Sequence, residues 1–105
     1  GRYLCGCSSL TSQDATQGAS VYAELCRKHL APTPFRTRPK AAYECSLAHL
    51  AEHPPKVPKL LRAYLSVGAK ICGPPALDRE FKTIDFLTFV DLQKLPASAR
   101  SKFLA

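Results

Sequence analysis

The sequence predicts an α/β domain built on a mixed sheet with helices packed against it. Three observations carry this expectation. Thr83 to Val90 is an unbroken β-branched and aromatic segment, apolar on both faces apart from Asp85 and Thr88, so it demands neighbours on either side. Two stretches, 13–29 and 58–67, place apolar residues at helical spacing instead. Shorter strand-like runs at 1–10 and 69–73 alternate with those helices, the order in which an α/β sheet is built.

Taken in order, residues 1–10 carry Tyr3, Leu4, Cys5 and Cys7 and read as a short strand buried on both faces. Thr11 and Ser12 offer an N-cap, with Asp14 in the first turn, for a helix over about 13–29. Its apolar stripe is Ala15, Ala19, Tyr22 and Cys26, with Val21 and Leu25 alongside, and Arg27, Lys28 and His29 suit the negative end of the helix. From Leu30 to Pro58 the prolines at 32, 34, 39, 54, 55 and 58 interrupt any regular element. Within this stretch Tyr43-Glu44-Cys45 is a candidate local docking point, and Leu47 to Glu52 has room for a helical turn. Loops this long are unusual in compact domains and commonly functional, so this one is expected to cover a pocket or follow a neighbouring surface. Pro58 suits the first turn of a second helix whose apolar face is Leu60, Leu61, Tyr64 and Leu65, and Gly68 suits its C′ position. Ala69 to Gly73 is a short strand ended by Pro74-Pro75, and 76–82 is a charged connection to the Thr83 strand. Asp91 can cap a last turn, and 96–104 is a short C-terminal helix. Three strands are few for segments this apolar, so the sheet is expected to show at least one unpaired apolar edge, which invites dimerisation.

A length of 105 residues bounds the chain to one domain, spanning 1–105, and 46% hydrophobic with 22% charged residues is an ordinary globular balance. The abrupt start in strand-like sequence leads us to expect a domain fragment that lacks its N-terminal half. No run of about 18 apolar residues is present, and residues 1–10 lack the apolar core of a signal peptide. The expected location is the cytoplasm, with peripheral contact to a membrane left open. The net charge of +7 favours acidic partners. Five cysteines without a regular framework fit small buried hydrophobes in a reducing compartment better than a disulfide scaffold or a metal site. No phosphate-binding glycine loop and no nucleic-acid motif appear, and the three histidines have no acidic partner at a telling spacing.

Three segments stand out together. The first is Gly6-Cys7-Ser8-Ser9-Leu10-Thr11-Ser12-Gln13-Asp14, at a strand-to-helix junction. The second is Val57 to Leu65 followed by Gly68-Ala69-Lys70-Ile71-Cys72-Gly73-Pro74-Pro75. The third is Asp78-Arg79-Glu80-Phe81-Lys82-Thr83-Ile84-Asp85-Phe86-Leu87. In order and spacing they resemble the C-terminal half of GNAT-fold N-acyltransferases, in the branch of ornithine acyltransferases, long-chain N-acyl amino acid synthases and hemolysin-type proteins.

The resemblance implies a partial GNAT-like fold and transfer of a fatty acyl group to an amine such as an amino acid. The donor would be an acyl carrier protein or coenzyme A thioester, with no permanently bound cofactor and no metal. It implies donor or substrate contacts at Cys7, Ser8, Ser9, Thr11, Phe81 and Thr83, and a catalytic role for Asp85 in orienting or deprotonating the amine. Phe81, Phe86 and Phe89 are candidates for an acyl tunnel. Arg27, Lys28, Arg36, Arg38, Lys56 and Lys59 would steer the acidic carrier protein. Plainer readings stand beside these: Ser8, Ser9 and Thr11 as an ordinary cap and turn, Asp85 as a structural carboxylate paired with Lys70, Arg79 or backbone donors, and the phenylalanines as core. Expected partners are the carrier protein and either the missing N-terminal half or a second copy of the chain. The alternative function is a non-catalytic basic module that binds an acidic protein or nucleic acid.

Overall fold

The computed structural model describes residues 3–94. The expected C-terminal helix at 96–104 lies outside the described residues. Four strands form one sheet: β1 (Tyr3–Leu10), β2 (Lys70–Ile71), β3 (Ala76–Asp78) and β4 (Thr83–Asp91). The helices are α1 (Ala15–Cys26) and α2 (Lys59–Ser66). β4 is central, as its apolar faces require. It pairs with β1 along one side and with β2 and then β3 along the other. Every ladder is antiparallel, so the expected mixed sheet is corrected. The parallel contact is a one-residue bridge from Leu30 to Ile71. The result is a small α/β domain with an open antiparallel sheet.

The β1–β4 register runs without interruption from Tyr3 opposite Asp91 to Leu10 opposite Ile84, so odd-numbered residues of both strands share one face and even-numbered residues the other. The even face is the core. Ile84 and Phe86 of β4 and Ile71 of β2 pack with Val21 and Leu25 of α1 and with Leu61 and Leu65 of α2. The odd face carries a smaller cluster of Ala31, Cys72 and Phe89, extended by a ring stack of Phe35 on Phe89 at 4.7 Å between centroids. Tyr3 closes this group at 5.2 Å from Phe35.

Caps and turns set the element ends. Asp14, rather than Thr11 or Ser12, is the N-cap of α1, and its Oδ1 accepts from the Thr16 amide at 3.0 Å and the Thr16 hydroxyl at 2.6 Å. These bonds hold the Asp14 carboxyl below its ordinary range. Pro58 precedes α2, and Gly68, with φ of 100°, takes the left-handed position that ends it. Asp91 Oδ1 accepts from Gln93 N at 3.0 Å at the turn that follows β4. The connection expected over 76–82 is in fact a hairpin: β3 turns back into β4, with Asp78 Oδ1 accepting from the amides of Glu80 and Phe81 at 3.0 Å each. Lys82 sits in this turn at φ of 58°. A side chain is strained there, so Lys82→Gly is expected to stabilise the fold by about 0.5–1 kcal/mol, read as a higher urea midpoint at unchanged slope.

The proline-rich stretch is pinned rather than loose, although 47–52 forms no helical turn. Ala31 N donates to Ile71 O at 2.8 Å, Thr37 N to Cys72 O at 2.9 Å, and Arg79 Nη1 to Ala42 O at 2.9 Å. Glu44 bridges to Ala76, Cys45 is buried, and Ala51 N donates to Ser20 Oγ at 2.8 Å. The stretch therefore covers the β2–β3 side of the sheet. β1 is left at the opposite edge, and residues 3–7 are exposed, which corrects the expectation of a strand buried on both faces. Cys72 N donates to Leu87 O at 2.8 Å, so odd-numbered residues of β4 address β2 and β3 and even-numbered ones address β1. By the same alternation, Cys5, Cys7 and Ser9 point their backbone groups to the open edge. Among the described residues no strand pairs with this edge.

Gly18 marks where α1 meets the sheet. A Cβ there would lie 2.9 Å from Cys45 Sγ and 2.9 Å from Ile84 Cγ2. In a free helix Gly→Ala gains stability, but here the buried Ile84 side chain has to move. Gly18→Ala is expected to cost about 1–2 kcal/mol, and Cys45→Ala in the same chain should recover part of that loss.

Candidate functional site

The end of β1 and the start of β4 meet on the odd face, and three of the expected site residues converge there. Ser9 Oγ donates to Asp85 Oδ1 at 2.6 Å, and Thr83 Oγ1 donates to the same oxygen at 2.8 Å. Asp85 is half-buried, opposite Ser9 in the register and two residues along the strand from Thr83, so strand geometry alone puts the three on one face. Two hydroxyls hold Oδ1, whereas Oδ2 takes no donor among the described residues. Neither Lys70 nor Arg79 is the partner: Lys70 Nζ donates to Lys28 O at 3.2 Å and Arg79 reaches Ala42 O. Gln13 Nε2 buttresses the corner, donating to Asp78 O at 3.1 Å and Thr83 O at 3.3 Å. The carboxylate is thus fixed in direction with one oxygen available to a ligand that donates a proton or a hydrogen bond. No known family, no curated protein and no solved structure matches the chain.

The other expected residues are dispersed. Cys7 lies on the same face, exposed, opposite Leu87. Thr11 is exposed beyond the end of β1. Ser8 points to the core side, 2% exposed, and its hydroxyl has no partner among the described residues. The three phenylalanines do not line one channel, which corrects that expectation. Phe81 is 75% exposed in the hairpin turn, Phe86 is fully buried in the core, and Phe89 lies on the opposite face of the sheet. Cys45 and Cys72 are buried thiols whose titration is pushed up, in both cases chiefly by burial, and they behave as small apolar side chains. Cys5 and Cys7 depart from that expectation because they are exposed.

The expected basic face divides. Arg36 and Arg38 border a depression of about 330 Å3 with Tyr22 and Gly73, and Arg36 Nε is tied to Ala31 O at 2.8 Å. Arg27, Lys28 and Lys56 line a different and larger groove, together with Arg62, which sequence reasoning missed. Lys59, expected on this basic face, does not line the groove, whereas Arg62 shares its helix face with Leu65 and Ser66, which do. In this groove His29 is held below its ordinary pKa by burial first, then by Lys70 and Lys28. Above the unfolded value of 6.5 both states are neutral. As pH falls below it the unfolded chain takes the proton first, so His29 contributes a loss of stability. The urea midpoint is expected to fall modestly between pH 7 and pH 5.5, and His29→Gln should remove that part of the slope.

Proposed function

We propose that this chain carries part of an N-acyltransferase that moves a fatty acyl group from an acyl carrier protein or coenzyme A thioester to an amine such as an amino acid. The observation that supports this reading best is the Asp85 carboxylate, held at Oδ1 by Ser9 and Thr83 with Oδ2 uncommitted among the described residues. An acceptor amine must be neutral to attack. Oδ2 would accept an N–H of the amine and aim its lone pair at the thioester carbon. The C–N bond forms as the C–S bond breaks, the departing thiolate takes up a proton, and the proton lost from nitrogen passes to Asp85 and then to solvent. No acyl-enzyme is needed. The segments that carry the resemblance include α2 and the strands β2, β3 and β4, and the three strands belong to one sheet. The assay is incubation with long-chain acyl carrier protein or acyl coenzyme A and a panel of amino acids, with mass detection of the N-acyl product. Product that scales with protein supports the reading, and free fatty acid alone contradicts it.

A second reading, a basic module that binds an acidic partner without catalysis, is favoured by the groove bordered by Arg27, Lys28, Lys56 and Arg62. It predicts binding of the partner with unchanged affinity in Asp85→Asn.

A further inference from the structure

We infer that the groove between the end of α1, the 54–57 segment and α2 binds a single-chain amphiphilic anion, an acyl chain carrying a carboxylate or phosphate head. The N-acyl amino acid released by the proposed reaction is one such molecule. That link rests on the proposed function, whereas the chemistry of the groove does not. The groove is open along one side to solvent and has a volume of about 1000 Å3. Its walls are of two kinds. Arg27, Lys28, Lys56 and Arg62 bring cations to the rim, and Glu24 is the one carboxylate in the lining. Leu25 and Leu65, both core residues, form the floor with Val57 and Pro55.

Each kind of wall excludes a simpler ligand. A bare inorganic anion would satisfy the cations and leave the apolar surface of Pro54, Pro55 and Val57 in water. A neutral lipid would cover the floor and leave the cations without a counter-charge. An anion with an apolar chain uses both. Two carbonyls at the negative end of α1 are already occupied, which lessens its opposition to an anion: Glu24 O accepts from Arg27 N at 3.3 Å, and Leu25 O accepts from His29 N at 2.8 Å. Lys70 adds a further ammonium nearby through its bond to Lys28 O.

The test is calorimetric titration of the protein with N-dodecanoylglycine, below its micelle concentration, at low and moderate salt. Saturable binding of one molecule, weakened by salt, is expected. Shortening the chain should weaken it by about fourfold for each methylene that leaves the floor. The double variant K56E/R62E should bind at least about tenfold more weakly. Both side chains are exposed, so the fold should persist. Glu24→Gln, which removes the single opposing charge, should bind more tightly and serves as the second reading of the same field. Unchanged affinity in these variants, no dependence on chain length, or equal affinity for dodecanol or for glycine alone would overturn the inference. Dodecyl phosphate binding as tightly as N-dodecanoylglycine would support it and show that the head group is read only as an anion. Failure of the acylation assay with these binding results intact would count against the proposed reaction and not against the groove.

Discussion

Asp85→Asn is expected to lower amine acylation by about 10²–10⁴-fold, the usual range for loss of a positioned acid or base, with the fold intact. The substitution is selective. Asparagine keeps an oxygen that can accept from Ser9 and Thr83, the two hydroxyls that now hold Oδ1. It replaces the uncommitted Oδ2 with an NH2 group, which donates where the reaction needs an acceptor. Asp85→Ala tests a different point, because it strands the two hydroxyls as well and should lower stability in addition to activity. Ser9→Ala should be milder, a loss of about tenfold, since Thr83 still holds the carboxylate. The measurement is the rate of N-acyl product formation at saturating donor, with urea unfolding run on the same preparations. Activity of the Asp85→Asn variant within about twofold of the parent would show that Asp85 is structural, since a positioned acid or base is worth far more than that.

Gly73→Ala is expected to be the most damaging single methyl in the described part of the molecule. Gly73 is buried just after β2, where the proline-rich stretch crosses the sheet and Thr37 N donates to Cys72 O at 2.9 Å. A Cβ on Gly73 would overlap the Thr37 carbonyl oxygen, which is backbone and has no rotamer to yield. Either the 36–38 crossing lifts and the Thr37–Cys72 bond is lost, or β2 shifts against β4. The expected cost is about 2–3 kcal/mol, or roughly a 10 °C fall in melting temperature for a domain of this size. Gly6→Ala is the internal control. Nothing lies within 4 Å of a Cβ there, so it should be neutral or slightly stabilising. Thermal unfolding of the two variants side by side separates a specific close approach from a general intolerance of alanine at glycine positions.

The elements that could be read from the sequence are those fixed by local chemistry. β4 is a long β-branched and aromatic run, and α2 lies between Pro58 and Gly68, so both were legible almost to the residue. β3 was not, because Ala76-Leu77-Asp78 is too short to show a period and is fixed by its hairpin with β4 and a single bridge from Ala76 to Glu44. The exposure of β1 was not legible either, since apolar composition says nothing about which elements supply the cover. At the site, the convergence of Ser9, Thr83 and Asp85 depends on the β1–β4 register, a contact between residues more than seventy positions apart. The residue types were visible in the sequence and their meeting was not. The tunnel of phenylalanines failed for a local reason that strand parity does reveal: Phe86 and Phe89, three apart, point to opposite faces. The basic groove joins Arg27 to Arg62 across the proline-rich stretch, and only folding sets them together.

Whether an acyl-carrying donor binds at this fold is tested most directly by calorimetric titration with acyl carrier protein, loaded with a long-chain acyl group and unloaded, at two salt concentrations. Tighter binding of the loaded form, weakened by salt and retained in Asp85→Asn, is the expected result. Equal affinity for loaded and unloaded carrier, or no binding of either together with none of acyl coenzyme A, would contradict it.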